Sequence, residues 1–292
     1  MNVLAFGEIL FDCYPTDEKI GGAPFNFCAH LAQLGANSYL YSAVGNDNLG
    51  KKALEKALFF GVNTRYIQTS KAHPTGICKV SYQGDTPTYD LSRISAYDAI
   101  SFQPLLPTHS FDLLYFGTLA LREERSEKTL EQLLSHGKFG TVFFDINLRQ
   151  NYFSKETVEK GLVASDIVKM NREEFAYVKE ISATKATDNQ TALQKISTLY
   201  GIKTAILTLD KEGACVYDKE KGFFFAPPKE TSFVSAVGAG DSFCACFLYH
   251  LFHGASILTA LDKASTLSSY VVSREEAVPA YPDWLKQELK SV

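Results

Sequence analysis

The sequence predicts an α/β fold in which a mostly parallel sheet is flanked by helices and carries a small β-sheet lid. Two observations support this prediction. Short apolar runs rich in β-forming residues alternate with amphipathic stretches over most of the 292 residues, as expected for parallel strands joined by helical crossovers. In addition, residues 66–93 contain β-like runs without an intervening helix, a pattern typical of an antiparallel sheet.

The elements of the large sheet follow one another from the N-terminus. The apolar run at residues 3–6 predicts the first strand, and residues 25–34 predict a helix because their apolar residues recur near the 3.6-residue period. The elements predicted next are a strand at 39–44, a helix at 49–60, and strands at 112–116, 141–145, 167–170 and 204–209. Helices are predicted at 240–253 and 256–272, with a last short helix after Pro282.

Residues 66–96 interrupt this alternation. Runs at 76–82 and 88–92 flank a turn predicted at Gln83-Gly84-Asp85. Such an insertion either forms a lid over the cleft at the carboxyl ends of the strands or remains a plain hairpin at the sheet edge. Because the sequence contains no repeat and no linker, residues 1–292 are predicted to form a single domain, with a lid formed by about 11–20 and 66–96.

The composition excludes several classes of protein. Lys and Arg number 29 against 33 Asp and Glu, a net charge of −4, so the chain lacks the basic surface of a general nucleic-acid binder. No apolar run approaches the roughly 20 residues of a membrane-spanning helix, and the N-terminal run is interpreted as a strand, not a signal peptide. The six scattered cysteines are therefore expected to be reduced thiols in a cytoplasmic protein.

The strongest local motif is Ser235-Ala236-Val237-Gly238-Ala239-Gly240-Asp241, which directly precedes an amphipathic helix. Glycines allow successive N–H groups to point into one concavity, and the helix N-terminus adds the positive end of its dipole. The motif therefore suits a phosphoryl group, and an ionised Asp241 beside it can take a proton from an attacking hydroxyl. Alternatively, Asp241 only caps the helix and the glycines only form the turn.

Three further clusters place polar residues where strands end or helices begin. Paired glycines within residues 21–26 precede a helix whose first turn holds Pro24 and Asn26, a candidate site for a polar ligand. Residues 145–149 follow a buried strand, where ligands of α/β sheets gather. After the next strand, Asn171 and Glu174 either form a capping box or hold a metal-bound water near phosphate.

Together these motifs resemble the ribokinase family of sugar kinases. The matching segments occur in family order across nearly the whole chain: Gly7-Glu8 and Asp12, residues 21–26, 44–50, 145–149 and 171–174, and Gly238-Ala239-Gly240-Asp241. Within that family, residues 22–26 and 116–122 are most similar to bacterial fructokinases. The resemblance implies an α/β core with a small lid that closes over a sugar and excludes water.

The resemblance also implies transfer of the γ-phosphoryl group of ATP, with Mg²⁺, to a sugar hydroxyl. It makes Asp241 the general base and the backbone of Gly238, Ala239 and Gly240 the anion hole. The residues implied to bind the sugar are Asp12, Gly21, Gly22, Asn26 and Arg149. Those implied to bind the nucleotide are Lys169, Asn171, Glu174, Thr208, Asp210 and Gly213, with Glu174 ordering Mg²⁺ through water.

The sequence departs from the family pattern at three places. Ser235 stands where many relatives carry an acid that helps to bind an activating monovalent cation, which leaves potassium dependence open. Asp210 replaces a glycine near the nucleotide phosphates, and Glu275-Glu276-Ala277 stands where relatives usually carry Gly-Ala. None of these changes removes the base or the anion hole, so we expect an active kinase. The resemblance also implies a homodimer through the lid, because lid sheets in this family often pair.

The leading hypothesis is therefore an ATP-dependent fructokinase that forms fructose 6-phosphate. The nearest alternatives keep the chemistry and change the acceptor to ribose, 2-keto-3-deoxygluconate or a nucleoside such as adenosine, because pocket shape decides among such acceptors. A hypothesis of another class is a sugar-binding regulator that has lost catalysis, and it is motivated by Ser235, Asp210 and Glu276.

Overall fold

Two sheets organise the chain in the computed structural model, which describes residues 1–83 and 86–290 and the side chains outside 82–87. The strands are β1 (Asn2–Phe6), β2 (Leu10–Cys13), β3 (Glu18–Gly21), β4 (Asn37–Gly45), β5 (Ile67–Ser70), β6 (Gly76–Gln83), β7 (Thr86–Leu91), β8 (Phe111–Gly117), β9 (Phe139–Asp145), β10 (Ile167–Met170), β11 (Thr204–Thr208), β12 (Ala214–Asp218) and β13 (Gly222–Ala226). The helices are α1 (Ala23–Leu34), α2 (Asn48–Phe59), α3 (Glu124–His136), α4 (Lys155–Val163), α5 (Arg172–Ile181), α6 (Asn189–Tyr200), α7 (Ala239–Phe252), α8 (Ile257–Val272) and α9 (Asp283–Lys290).

The larger sheet has the strand order β13-β12-β11-β10-β9-β8-β1-β4-β5. Neighbouring strands from β11 to β5 are parallel, whereas β12 and β13 pair antiparallel at one edge. The strand order runs outwards from β1 in both directions, towards β4 on one side and β8 on the other. Ligands of open α/β sheets bind beyond the carboxyl ends of the strands at such a reversal, and the predicted site residues lie there.

Apolar side chains alternate between the two faces of this sheet. In β1, Val3 and Ala5 pack with α1, α7 and α8, while Leu4 and Phe6 pack with α3 to α6. All four side chains are fully buried, because a parallel strand covered by helices on both faces has no solvated side. The predicted fold class, a large mostly parallel sheet flanked by helices with a smaller second sheet, is confirmed.

The smaller sheet, which we call the lid sheet, has the order β3-β2-β6-β7. It is separate from the large sheet, so the alternative of a plain hairpin at the sheet edge is wrong. Two hydrogen bonds connect β7 to the loop after β9: Gln150 Nε2 donates to the Tyr89 carbonyl (2.6 Å) and the Tyr152 hydroxyl donates to the Leu91 carbonyl (3.2 Å). The predicted turn at 83–85 includes Gly84, which, with residue 85, lies outside the described residues.

The predicted boundaries of the lid, 11–20 and 66–96, require a correction. Ile67–Ser70 forms β5, which pairs with β4 in the large sheet, and residues 96–99 form a buried 3₁₀ turn. The physical reason is an aromatic anchor: Tyr66 is buried and stacks on Tyr41 with ring centroids 5.7 Å apart. In addition, the Gln68 side chain exchanges two hydrogen bonds with the backbone of Ser101. The lid sheet is therefore limited to β2, β3, β6 and β7.

Two expectations from the composition can be compared with the structure. Within the described ranges, no helix combines the length and the apolar character that crossing a bilayer requires. All six cysteines are free thiols; Cys13 is half-buried and the other five are buried. None of them forms a disulfide, and the reduced state of the thiols stays a prediction.

Candidate active site

The residues predicted for the site converge beyond the carboxyl ends of β1, β9 and β10. Parallel strands end at the same edge of a sheet, so the loops that follow them meet there. One group lies on the lid side around Asp12, and a second group surrounds Lys169 at the end of β10. Asp241 lies between them, because the charges of Arg149 on one side and of Lys169 on the other both act on its carboxyl group.

Asp241 lies in the first turn of α7, and Asn26 of α1 holds its carboxylate. Asn26 Nδ2 donates to Asp241 Oδ2 at 2.8 Å. Loss of water contact raises the pKa of the Asp241 carboxyl, while Asn26, Arg149 and Lys169 oppose the rise. The buried Oδ1 of Asn26 has no hydrogen-bond partner among the described residues, so this amide can accept a hydrogen bond from a ligand hydroxyl next to Asp241.

The turn before α7 forms a cradle of N–H groups. Gly238 has φ 79°, and a Cβ at this position would lie 2.4 Å from the carbonyl oxygen of Ala277, so the position requires glycine. The amides of Gly240 and Asp241 belong to the first helical turn, where an α-helix supplies no acceptor. The N-cap of α7 is Gly238 and the helix begins at Ala239, so Asp241 lies inside the first turn and not at the cap position. These amides and the helix dipole are suited to an anion, which stays a prediction.

Beneath the cradle lies a buried group of three charges. Lys169 Nζ is 3.1 Å from Asp145 Oδ1 and 3.7 Å from Glu174 Oε2, and all three side chains are at least nine-tenths buried. Burial alone would lower the pKa of Lys169, but the two carboxylates outweigh it and raise the pKa well above its ordinary value. A Cβ on Gly240 would lie 3.5 Å from this ammonium, so Lys169 brings a positive charge directly to the cradle.

Asn171 and Glu174 form the capping box of α5. The Asn171 side chain accepts from the Glu174 amide at 2.9 Å, and Glu174 Oε2 accepts from the Asn171 amide at 2.7 Å. Glu174 Oε1 also accepts from the Leu148 amide at 3.2 Å. Of the two interpretations left open by the sequence, the capping role is confirmed, while a role near a metal-bound water stays a prediction. No group of three or more His, Cys, Asp or Glu side chains that could hold a metal occurs in the described part of the chain.

On the lid side, Asp12 of β2 faces the start of α1. A Cβ on Gly21 would lie 3.1 Å from Asp12 Oδ2, so a larger residue at position 21 would press on this carboxylate. Gly22 has φ 106°, and a Cβ there would lie 2.6 Å from the Glu8 carbonyl oxygen. Burial raises the pKa of Asp12, and the charge of Arg149 opposes the rise. Gly21 therefore leaves space beside the Asp12 carboxylate, and Gly22 allows the close approach of the backbone to Glu8.

Arg149 supplies the positive charge of the lid side. It is exposed, and its guanidinium has no hydrogen bond or ion pair with any described residue. Its charge nevertheless lowers the pKa of Glu8, Asp12 and Asp241, so it lies close to all three carboxyl groups. The neighbouring Gln150 has φ 49°, a left-handed conformation that non-glycine residues rarely adopt. An unpaired cation among carboxyl groups is suited to bind a polar ligand.

The turn at residues 208–213 lies next to the buried charges. The Thr208 hydroxyl donates to the Met170 carbonyl at 3.5 Å, at the end of β10. Asp210 is exposed and has φ 52°, the conformation that glycine adopts most readily, which agrees with the glycine expected there from the resemblance. Gly213 follows at the start of β12. The structure therefore places this turn beside Lys169 and Asn171 and directs Asp210 towards solvent.

The fructokinase-like segment at residues 116–122 has a structural role. The Thr118 hydroxyl donates to the carbonyl groups of Ile146 and Asn147, at 2.9 and 3.2 Å. Arg122 forms a buried ion pair with Asp98 at 2.7 Å. The segment thus supports the loop that carries Arg149.

Two site residues had no assigned role in the sequence-based interpretation. Glu8 is buried, its Oε1 accepts from the Ala23 amide at 3.3 Å, and burial raises its pKa to about 7. Asp145 is buried, and neither carboxylate oxygen has a hydrogen-bond partner among the described residues apart from the ion pair with Lys169. The available signal was a charged residue within or directly after an apolar strand, since such residues are almost never fully buried unless they are paired.

Comparison with known sequences gives one family. The model described as the pfkB family of carbohydrate kinases matches residues 2–284. The chain is 27% identical to an ATP-dependent 6-phosphofructokinase of Thermoanaerobacterium thermosaccharolyticum, with 97% of this chain and 91% of that protein covered. It is 26% identical to a 5-dehydro-2-deoxygluconokinase of Geobacillus thermodenitrificans, with coverage of 94% and 85%.

Solved structures give the same fold. Fructokinase from Vibrio cholerae with fructose, ADP and calcium superimposes with a TM-score of 0.82 at 22% identity, covering 99% of both chains. Aminoimidazole riboside kinase from Salmonella enterica gives a TM-score of 0.81 at 22% identity, covering 99% of this chain and 100% of that one. Fructokinase from Xylella fastidiosa with ATP gives 0.82 at 20% identity, with coverage of 99% and 97%. These neighbours act on different acceptors. The structural likeness therefore establishes the fold and does not identify the acceptor of this chain.

Proposed function

Since the chain belongs to the pfkB family of carbohydrate kinases, we propose that it transfers the γ-phosphoryl group of ATP to a hydroxyl of fructose and forms fructose 6-phosphate. The observation that carries this proposal is the Asp241 carboxylate beside the amides of Gly240 and Asp241 at the N-terminus of α7. A base and anion-binding amides within one turn serve an oxygen that loses its proton while it attacks phosphorus.

In the proposed reaction, Asp241 accepts the proton of the sugar hydroxyl while that oxygen forms a bond to the γ-phosphorus. The bond from this phosphorus to the β–γ bridging oxygen breaks, and ADP leaves with the electron pair. Asn26 fixes the carboxylate through its 2.8 Å hydrogen bond. The raised pKa of Asp241 makes it a stronger base than an exposed aspartate, and Arg149 and Lys169 limit the rise.

The transferred phosphoryl group is proposed to lie in the cradle, above the Lys169 ammonium. The amides of Gly240 and Asp241 would face its oxygens, whereas the Ala239 amide, which the resemblance implies for the anion hole, donates to the Ala236 carbonyl at 3.3 Å. Helix α7 and Lys169 supply fixed positive charge. Mg²⁺, when bound, would neutralise charge on the phosphates. Asp145 and Glu174 fit such an ion held through water: apart from the ion pair with Lys169, the buried oxygens of Asp145 have no partner among the described residues, and Mg²⁺ keeps several waters and few carboxylate ligands.

The nucleotide is proposed to extend from the cradle along the turn at 208–213. Asn171, Thr208 and Gly213 line this path through the contacts described above. Asp210 is exposed, which supports ATP binding because its carboxylate lies in solvent, where its repulsion of phosphates is screened.

The charges on the lid side favour a neutral acceptor. The charge of the unpaired Arg149 guanidinium acts on three carboxyl groups, those of Glu8, Asp12 and Asp241. Lys19, the cross-strand neighbour of Asp12, is already paired with Glu275 at 3.1 Å. A phosphorylated or carboxylated sugar would add negative charge to this group, whereas sugar hydroxyls can donate to the carboxylates and accept from Arg149.

Two observations support fructose as this neutral acceptor. Residues 22–26 and 116–122 resemble bacterial fructokinases, and one structural neighbour is a fructokinase that holds fructose and ADP. We further propose a homodimer through the lid sheet, in which the exposed Tyr89 of β7 is one contact residue. The free thiols support a cytoplasmic location, where cysteines stay reduced.

The test is release of ADP from MgATP in a coupled assay with fructose, ribose, 2-keto-3-deoxygluconate and adenosine. Turnover with fructose at a kcat/KM at least about tenfold above the other acceptors is expected, because one misplaced hydroxyl costs that much in a polar pocket. A preference for another acceptor would change the assigned substrate and leave the proposed mechanism in place. Fructose binding in calorimetry without turnover on any acceptor would contradict kinase activity and indicate a regulator.

The same assay tests the monovalent cation. Ser235 carries no charge, and its hydroxyl accepts from the Val237 amide at 3.2 Å. In the neighbouring segment, the carbonyl groups of Ala277, Pro279 and Ala280 already accept hydrogen bonds from side chains. Because these groups are already paired within the protein, we expect kcat with K⁺ and with tetramethylammonium to agree within about twofold. A tenfold loss without K⁺ would show that the loop needs the ion.

A further inference from the structure

Helix α1 holds the segment 277–281 through one buried histidine. His30 lies one turn after Asn26, on the same face of α1, and is fully buried. His30 Nε2 is 3.0 Å from the Ala277 carbonyl oxygen, and Nδ1 is 2.6 Å from the Tyr281 hydroxyl. Because a carbonyl oxygen can only accept, Nε2 carries the proton and the Tyr281 hydroxyl donates to Nδ1.

This arrangement is stable at neutral pH. Burial lowers the pKa of His30 to about 4, so the imidazole is neutral and keeps this tautomer. Burial also raises the pKa of Tyr281 well above its ordinary value, so its hydroxyl keeps the proton that it donates. Gln33, one turn further along α1, adds two bonds to the segment: it donates to the Pro279 carbonyl and accepts from the Tyr281 amide, both at 3.2 Å.

The segment that His30 holds forms the support of the anion cradle. The Ala277 carbonyl oxygen lies 2.4 Å, and the Ala277 Cα 2.8 Å, from the position of a Cβ on Gly238. Backbone therefore packs directly against the first residue of the cradle. The Gly238 carbonyl in turn accepts from the Ser242 amide at 2.9 Å, so a displacement of Ala277 would reorient the first turn of α7.

We propose that His30 is a positioning residue for phosphoryl transfer, acting through its hydrogen bond to the Ala277 carbonyl. This bond fixes the backbone beneath Gly238 and so aims the amides of Gly240 and Asp241 at the transferred group. The proposal rests on the function proposed above for the cradle. Since Asn26 on the same helix face holds Asp241, α1 sets the base and the cradle relative to each other.

Three variants separate the two hydrogen bonds of His30. In His30→Gln, the amide nitrogen is as many bonds from Cα as Nε2 is, so the donor to Ala277 is kept. In His30→Asn, the shorter side chain reaches the position of Nδ1 but not Ala277. Tyr281→Phe removes the hydroxyl and leaves the bond to Ala277 in place. All three variants lose packing or a hydrogen bond, so all three are expected to unfold at lower temperature.

Activity should follow the bond to Ala277, and stability should not. We expect His30→Asn to lower kcat by about tenfold or more, because small misplacements of transition-state contacts have large effects, with KM for the acceptor within about twofold. His30→Gln and Tyr281→Phe should keep kcat within about threefold. Equal losses of kcat in Tyr281→Phe and His30→Asn, or an unchanged kcat in His30→Asn, would overturn the proposal.

A second readout does not depend on turnover. Hydrogen exchange of the amides at 238–241 in the ligand-free protein should be faster in His30→Asn than in Tyr281→Phe at equal unfolding free energy. Equal exchange in the two variants would also overturn the role of His30. If the wild-type protein turned over no acceptor, the proposed function would fail, whereas the exchange result would still decide whether His30 fixes the cradle.

Discussion

On the phosphoryl half of the site, formed by Asp145, Lys169, Glu174 and residues 238–241, the protein pairs its own charges before any ligand arrives. Lys169 contacts two buried carboxylates, and α5 is capped by Asn171 and Glu174. On the acceptor half, formed by Glu8, Asp12, Asn26 and Arg149, the Arg149 guanidinium and the Asn26 carbonyl oxygen have no partner among the described residues.

This difference shows which part of the reaction the fold fixes. Groups that are paired and buried are already oriented, so they contribute to catalysis without reorganisation. Unpaired groups at the lid can be satisfied by any ligand with matching hydroxyls. Under the proposed function, the phosphoryl half would define the chemistry and the acceptor half the substrate. The variants below should separate the two halves.

The largest effect is expected from Asp241→Asn, which has nearly the same volume as the wild-type residue. A positioned base contributes about two to four orders of magnitude, so kcat should fall by that factor while the affinity for ATP remains within a few-fold. Steady-state kinetics and calorimetry with a non-hydrolysable ATP analogue measure the two quantities. A kcat within tenfold of the wild-type value would remove Asp241 from the role of base.

Lys169→Met should destabilise the folded protein through the phosphoryl half. It leaves Asp145 and Glu174 buried without their counterion, and the loss of one partner of a buried pair costs about 3–5 kcal/mol of unfolding free energy. Lys203→Met is the matched control, because Lys203 forms an exposed pair with Asp166 at 2.8 Å and such pairs contribute less than about 1 kcal/mol. Denaturant unfolding that gave equal losses for both variants would contradict the account.

Arg149→Gln should weaken sugar binding and alter the protonation of Asp241 while leaving stability intact. A charge-assisted hydrogen bond is lost, so KM for the sugar should rise about 10- to 100-fold, and the unfolding free energy should stay unchanged because Arg149 is exposed and unpaired. Arg149 also lowers the pKa of Asp241, so the acid limb of kcat/KM should move to higher pH in the variant. Arg149→Lys is the control that keeps the charge. If the acid limb of kcat/KM stayed at the same pH, the charge of Arg149 would not control the pKa of Asp241.

The smallest effect is expected on the pH dependence of stability, through His30, which supports the phosphoryl half. His30 has a folded pKa of about 4 against 6.5 unfolded, so between these values the unfolded state binds the extra proton and the wild-type protein loses stability as pH falls. His30→Gln lacks this group. The stability advantage of the wild type over His30→Gln should therefore shrink by up to about 1.4 kcal/mol per pH unit below pH 6.5. Urea unfolding of both proteins at pH 8, 6 and 5 measures this difference in unfolding free energy. A difference that does not change with pH would contradict the prediction.

The sequence predicts those parts of the site that are contiguous in the chain. Gly238 to Asp241 combine a turn, a helix start and an acid within four residues, and their pattern indicates an anion site before any tertiary contact is known. Glu8 and Asp145 carry no such local signal. Their roles depend on the packing of β1 and β9 against α1 and β10, which no short segment encodes.

The fold shows the same division. The parallel strands and the helices between them follow from hydrophobic periodicity, whereas the assignment of Ile67–Ser70 to the lid was wrong. A short strand pairs with the sheet against which its flanking residues pack. Tyr66, which directly precedes Ile67–Ser70, stacks on Tyr41 of the large sheet, so this strand belongs to the large sheet. The β12–β13 hairpin was not predicted, because its pairing with β11 extends a parallel sheet by an antiparallel edge that periodicity alone does not reveal.

The most direct test of the comparison between the halves is the ratio of kcat/KM for fructose to that for fructose 6-phosphate. The two acceptors differ by one phosphate group, and the acceptor half offers the unpaired guanidinium of Arg149 beside the carboxyl groups of Glu8 and Asp12, with Asp241 of the phosphoryl half next to them. Since like charges brought together cost several kcal/mol, we predict a preference for fructose of at least about 100-fold. Equal or better turnover of fructose 6-phosphate would contradict a neutral acceptor and the division of roles between the two halves.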